Sequence, residues 1–374
     1  MKRAFIIFFI LFINTPSLQA CKVKKIEDGV NYLDIVFCLD LSGSTNGLIT
    51  DVREGLWHIV NQVSLLQPQP KFRIGVVGFS RPSFKKENAY VKVICPLTAD
   101  FDFLSHELYK IKPAVEKGDQ YVGVALKTCI TKMKWVESKD AKKIIYIAGN
   151  GWVGTNNNDY LKACQLASER GILINAVYVM GKSDKARELP GWYKIASLTK
   201  GAITEIAVGR KDLPFSKEMD SKAILETSIK FNNTYIYHGP GGYSKYQLFR
   251  EADSASFVAG PNVFAERVYY KKSSLFLWGN QQWELVDYMR LNGMLPEVLD
   301  VLFLPDSLRE KSAEEIYNIV YQAKTARQQV ISKLDVLYKD NYPLKVHKQY
   351  DSGELKEENS FARSMIILLL KEWN

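Results

Sequence analysis

Asp40, Ser42 and Ser44 stand at alternate positions directly after an apolar run, Ile35–Leu39, and Thr45 follows them. A buried strand that stops on a carboxylate and then offers two alternate hydroxyls gathers three oxygen donors on one tight loop. Hard cations such as Mg2+ take oxygen ligands and keep several waters, so a carboxylate with hydroxyls suits them. The competing reading of the same residues is a strand-to-helix turn in which Ser44 or Thr45 caps the helix. The four histidines (His58, His106, His238 and His347) lie in no motif. No Ser-His-Asp, paired-carboxylate or phosphate-loop pattern occurs either. The chemistry is therefore expected to be binding rather than catalysis, with an enzyme of unknown reaction as the minor alternative.

The elements that would position this loop follow from the alternation of apolar runs and helical patterns up to about Gly209. Strands are expected at Leu33–Leu39, Phe72–Phe79, Tyr90–Cys95, Lys143–Ala148, Ile172–Met180 and Ala202–Val208. Pro96, just after the third, suits a sheet edge. Helices are expected over Leu48–Val63, Phe101–Ile111, Val122–Met133, Asn158–Arg170 and Gly191–Thr199. Such alternation predicts an α/β fold, a doubly wound and mainly parallel sheet covered on both faces. Ligands in these sheets bind outside the carboxyl ends of the strands, where Asp40 would sit.

From Lys211 onward the chain becomes helical and charged. Asn232–Pro240 reads as a linker or docking segment, and Gln282–Asn292, Glu297–Phe303 and Lys311–Tyr338 fit amphipathic helices. In the last, Ile316, Ile319, Val320, Ala323, Ala326, Val330, Leu334 and Leu337 form one apolar stripe, expected to face a core. Lys345–Ser360 is polar and expected to be mobile. The organisation read from the pattern is a signal peptide over 1–20, a stem over 21–31, a strand-helix domain over 32–210 and a helical C-terminal region over 211–374 forming its own packing unit.

The first residues are Met-Lys-Arg, then an apolar run to Ile13, then Leu18-Gln-Ala-Cys21. A basic start, a short apolar stretch and a small residue before the cut describe a secretory signal. Leu18–Cys21 also resembles a bacterial lipobox, which implies lipidation of Cys21 and a membrane anchor; Gln19 is unusual at its position. Plain cleavage after Ala20, giving a secreted or periplasmic protein, is the alternative. The formal charge of +9 falls by two when Lys2 and Arg3 are removed, which leaves a basic exported protein. The lysines are scattered and no nucleic-acid motif occurs, so no nucleic-acid partner is expected. Cys38, Cys95, Cys129 and Cys164 match no zinc spacing and read as buried small hydrophobes, with a Cys129–Cys164 disulfide as the alternative.

With these strands in place, Tyr32–Gly209 resembles a von Willebrand factor type A domain, and Asp40-Leu-Ser-Gly-Ser44 resembles its metal-ion-dependent adhesion site. Arg73–Phe79, Pro96–Asp100, Gly118–Leu126 and Ile145–Gly151 resemble further segments of that family. The resemblance implies a site built from Asp40, Ser42, Ser44, Asp119, Gln120 and Asn150. Two positions depart from the pattern: Gln120 aligns with the family's second-loop threonine, and Asn150 with its third-loop aspartate. Asp119 restores the second carboxylate if it turns inward; its alternative role is to cap the helix near Val122. The variant resembles a subgroup of exported bacterial type A proteins with helical tails.

What the resemblance implies is a weakly bound Mg2+, or Mn2+ or Ca2+, whose open position an acidic side chain of a partner protein fills. Gln120 and Asn150 favour the alternative, a metal-free scaffold of the cell envelope. Asn156–Asp159 reads as a turn and N-cap, or as a ligand-contacting rim, and Trp152 as core or as an exposed partner contact.

Overall fold

Leu33 and every residue from Ile35 to Leu39 are wholly buried, so both faces of the first strand must be covered. In the computed structural model this strand, β1 (Tyr32–Asp40), is central. The described residues are 31–113, 119–138, 140–154, 159–181, 184–209, 220–338, 342–354 and 360–373. The sheet order is β3-β2-β1-β4-β5-β6, with β2 (Lys71–Phe79), β4 (Lys142–Gly149), β5 (Ile172–Val179) and β6 (Ile203–Ile206) parallel to β1. β3 (Lys92–Thr98) is the antiparallel edge and carries Pro96 there, where a missing N–H costs no ladder bond. Leu39 pairs with both Gly78 and Ala148, so the ends of β1, β2 and β4 lie level.

One sheet face is covered by α3 (Val122–Lys132), α4 (Tyr160–Glu169) and α5 (Lys185–Leu198). α5 begins earlier than the expected Gly191, because Asp184 caps it through the Arg187 amide and Pro190 is carried inside it. All four described cysteines are buried free thiols, and the thiol facing Cys129 is that of Cys38, not Cys164.

The other face carries α1 (Leu48–Ser64) and α2 (Phe101–Tyr109) together with helices from beyond residue 220. These are α6 (Ser221–Asn232), α7 (Gly242–Ala259), α8 (Pro261–Lys272), α9 (Ser274–Asn280), α12 (Ala313–Leu337), α13 (Tyr342–Asp351) and α14 (Phe361–Trp373). The expectation of a separate helical packing unit therefore gives way: residues 31–374 form one compact unit around a shared core. Polar contacts join the two parts as well. Arg267 of α8 bonds Asp102 of α2 at 2.5 Å and Asp253 of α7 at 2.9 Å, with its guanidinium 4.4 Å over Trp57 of α1. His58 of α1 lies 2.7 Å from Glu266 and 3.2 Å from the Tyr350 hydroxyl.

A smaller cluster, Ile236, Leu285, Val286, Met289, Leu304, Leu308, Ile316 and Val320, gathers α10 (Leu285–Asn292), α11 (Asp306–Arg309) and the start of α12. The apolar stripe of α12 faces these cores except for Ala326, which is exposed. Asn232–Pro240 is not a free linker, since Tyr235 stacks on Phe249 at 4.3 Å and the Ile236 amide donates to Glu284. Glu297–Phe303 forms only a 3-10 turn at Val301–Phe303, because the Asp300 carboxylate accepts from the Leu302 amide and Val298 stays exposed. Within Lys345–Ser360, the residues to Asp351 belong to α13 and 355–359 lie outside the described residues.

No helix among the described residues is long and apolar enough to cross a membrane. The expected signal peptide and Cys21 also lie outside the described residues.

Candidate metal centre

The chain turns away from the sheet at Asp40, whose side chain is wholly buried. The Leu41 amide makes a last bond to the Phe79 carbonyl, and the Ser42 amide then donates to Asp40 Oδ1 at 2.9 Å. Thr45 does not cap α1, whose N-cap is Gly47 at φ 111°. Its hydroxyl instead donates back to the carbonyls of Asp40 (2.7 Å) and Ser42 (3.0 Å), which folds the loop into a 3-10 turn. That turn sets the Ser42 and Ser44 hydroxyl oxygens 2.9 Å apart, and Ser44 donates to Asn150 Oδ1 at 2.9 Å.

Asn150 follows β4 directly and is buried. β4 comes this close because residue 149 is glycine; a Cβ there would lie 2.7 Å from the Asp40 Cβ. The next residue, Gly151, is at φ 85°, a backbone that favours glycine, and the Gln120 side chain lies across it. Gln120 reaches in from the loop before α3, its Nε2 donating to Asp40 Oδ2 at 3.3 Å and to the Asn150 carbonyl.

The structure thus brings Asp40, Ser42, Ser44, Gln120 and Asn150 together. Asp119 is the exception. Its side chain is exposed, and the N-cap position of α3 is Tyr121, so it neither turns into the site nor caps the helix. Trp152 is 48% exposed with the Arg187 guanidinium 4.9 Å over its ring, and so is a surface residue rather than core. Asp159 is the N-cap of α4, accepting from the Lys162 amide; 155–158 lie outside the described residues.

Three positioning residues went unread in the sequence. Thr45, a capping candidate by its position, ties the loop back on itself instead. Glu188 of α5 accepts from the Gly151 amide at 2.7 Å and the Tyr178 hydroxyl at 2.9 Å, and Trp192 donates to the Gly151 carbonyl at 2.9 Å. Glu188 and Trp192 carry no local signal; only the packing of α5 on β5 brings them under the 150–151 turn.

Burial pushes the Asp40 carboxyl up to about 6, against the hydrogen bonds from Ser42, Asn150 and Gln120 that favour its ionised form. It is still mainly a carboxylate at neutral pH. Together with Ser42 Oγ, Ser44 Oγ and Asn150 Oδ1 it makes an all-oxygen donor set of single negative charge, beside which Gln120 presents its amide nitrogen. Such a set fits a small hard cation and, by its low charge, holds it weakly. Among the described residues no cluster of three or more His, Cys, Asp or Glu offers a more highly charged metal site.

Residues 34–200 match the von Willebrand factor type A domain. This type A region is a little under half of the chain. No curated protein matches the sequence. Among solved structures, proximal thread matrix protein 1 from the mussel byssus, described with zinc in its MIDAS motif, is 17% identical. That alignment covers 47% of this chain and 42% of that one, with a TM-score of 0.36. The pilus adhesin SpaC of Lactobacillus rhamnosus GG is 13% identical over 48% of this chain and 29% of its own, with a TM-score of 0.37. An aerotolerance-related membrane protein of Bacteroides fragilis is 16% identical over 48% of this chain and 92% of its own, with a TM-score of 0.32. The chain thus spans about two-fifths of the length of the mussel protein.

Proposed function

We propose that the type A region holds a divalent cation, Mg2+ or in its place Mn2+ or Ca2+, on Asp40, Ser42 and Ser44, and binds a partner protein through an acidic side chain that completes the cation's shell. The observation that carries this reading is the hydrogen-bonded run from Asp40 through the Ser42 amide and hydroxyl and the Ser44 hydroxyl to Asn150 at the carboxyl ends of β1 and β4. The match of residues 34–200 to the type A domain supports it. The protein is read as a binding protein rather than an enzyme.

Calorimetric titration with Mg2+ and Mn2+ tests the site. Affinity is expected at about 0.1–1 mM, given a single carboxylate among the ligands. Asp40→Ala is expected to lose it while circular dichroism is unchanged. No heat in the wild type, with or without a partner's acid, overturns the reading.

One observation favours a second reading, a metal-free scaffold. The Gln120 amide already donates to both Asp40 and the Asn150 carbonyl, so the loops can close on a side-chain amide instead of a cation.

The proposal extends to export and a lipid anchor at Cys21, in the manner of an exported bacterial protein, on the strength of Leu18-Gln-Ala-Cys21 after the apolar run. Cys21→Ser is expected to release the protein from the membrane fraction. Unchanged fractionation with no lipid mass on the N-terminal peptide would sink the anchor.

A further inference from the structure

The narrow cleft beside Asp40 and Ser42 is walled on one side by Arg81 and Lys112. The same two side chains form the near end of a groove of about 520 Å³ that continues past Lys85, Lys92 and Lys110, with Phe84 and Ile111 among its lining. The groove therefore begins next to the loop that carries Asp40 and Ser42.

Its charge is of one sign. Lys85, Lys92, Lys110 and Lys112 are exposed. Among the described residues the acids that meet these cations are Glu87, 3.9 Å from Lys85, and Glu107, 2.6 Å from Lys110. Arg81 is held in place, with Nε donating to Ser83 Oγ at 2.9 Å and Nη1 to the Lys112 carbonyl at 2.7 Å. Its guanidinium lies 5.8 Å over the Phe84 ring, and the Lys92 ammonium lies 5.9 Å from the same ring. A floor that mixes an aromatic ring and an isoleucine with cations suits a chain bearing both carboxylates and side-chain carbon. A bilayer headgroup or an inorganic polyanion would use the charge and leave the ring and Ile111 unmatched.

We propose that this groove takes an acidic stretch of the partner protein, whose leading carboxylate fills the cation's open position while the following acidic side chains lie along Arg81, Lys112, Lys92 and Lys85. This rests on the cation-site reading above and gives that partner its chemistry. Charge complementarity of this kind sets register and speeds encounter, and salt weakens it.

The probe is a fluorescein-labelled peptide with a run of aspartate and glutamate between glycines, and its counterpart with asparagine and glutamine, read by polarisation with the full chain in Mg2+. The acidic peptide is expected to bind and the neutral one not. The double variant Lys85→Glu, Lys92→Glu is expected to weaken binding about tenfold at low salt, less as salt rises, with its Mg2+ heat unchanged. Asp40→Ala is expected to lose the Mg2+-dependent part and keep a weaker, salt-sensitive remainder. Equal binding by wild type and the double variant, or equal binding of the two peptides, overturns the groove. So does Mg2+-independent blocking of the peptide by phosphatidylglycerol vesicles or polyphosphate, which assigns the lysines to a polyanion. Absence of Mg2+ heat, with peptide binding still lowered by the double variant, overturns the cation reading and leaves the groove standing.

Discussion

Phe361 stands edge-on to Phe37, ring centroids 5.2 Å apart and planes at 86°. The pair joins the central strand to a helix that lies across most of the sequence from it. α14 thereby fills the sheet face beside α1, where Gly55 lets it approach.

Gly55 sits within α1, where alanine would ordinarily gain about 1 kcal/mol. Here an added Cβ would lie 2.7 Å from the Cβ of Ala362, a short side chain that cannot swing aside. Gly55→Ala is therefore expected to destabilise by about 1–3 kcal/mol. Urea melts check this, and a stabilised variant would show that α14 does not pack as described.

Gln120→Glu should tighten cation binding. It replaces a neutral amide beside Asp40 with a second carboxylate, and charge count among ligands tunes affinity. A gain of about tenfold in calorimetric Mg2+ affinity is the expected size. No gain would mean that the Gln120 position does not face the cation.

Arg327 donates to Glu284 at 2.7 Å, to Asp287 at 2.8 Å and to Thr234 at 2.8 Å, all buried. Arg327→Met leaves the buried Glu284 without its cation and Asp287 with Arg290 alone, at a cost of about 3–5 kcal/mol. Arg327→Lys is expected to recover only part, since a single ammonium cannot reproduce the planar fork. Chemical denaturation of both variants reads the difference.

Burial pushes the Asp51 carboxyl up to about 6, with Glu54 adding to the shift and the Gly209 amide opposing it. The folded state then binds more protons than the unfolded one between about pH 4 and 6. The stability this group contributes is full below its unfolded value and is lost as pH rises through 6. Asp51→Asn removes that slope. It is expected to exceed the wild type by about 1 kcal/mol at pH 7, after allowance for solvent screening, and to match it near pH 4. Thermal melts across that range decide it.

The strands were legible because each is a short apolar run bounded by turn residues, and Asp40, Ser42 and Ser44 stood out by alternation at the end of one. Asn150 was legible only through the resemblance, in which it takes the place of the family's third-loop aspartate. What escaped is non-local. Asp119 and Gln120 are neighbours, and which of them turns inward is decided by the room above Gly151, which the order of residues does not express. The change of pattern after Gly209 suggested a second packing unit, because periodicity reports that a helix has an apolar face and not what that face meets. Phe361, Ala362 and Met365 carry no local sign of what they meet, and it is the sheet that uses them. Likewise Arg327 sat beside the apolar stripe of α12 as an unremarked charge, and only its partners from α10 and the 234–236 segment explain its burial.

The Phe37–Phe361 contact also has a bearing on timing. β1 is made early in synthesis, yet one side of it stays unfinished until residues 361–373 exist. Closing a loop of that length adds only a slowly growing entropy term, so the cost in stability is modest. The cost in rate is larger, because pairings so distant in sequence slow folding. Until that helix arrives, the nascent chain must carry Phe37, Ile35 and their neighbours with part of their cover missing, a long interval in which the sheet face is open to other chains.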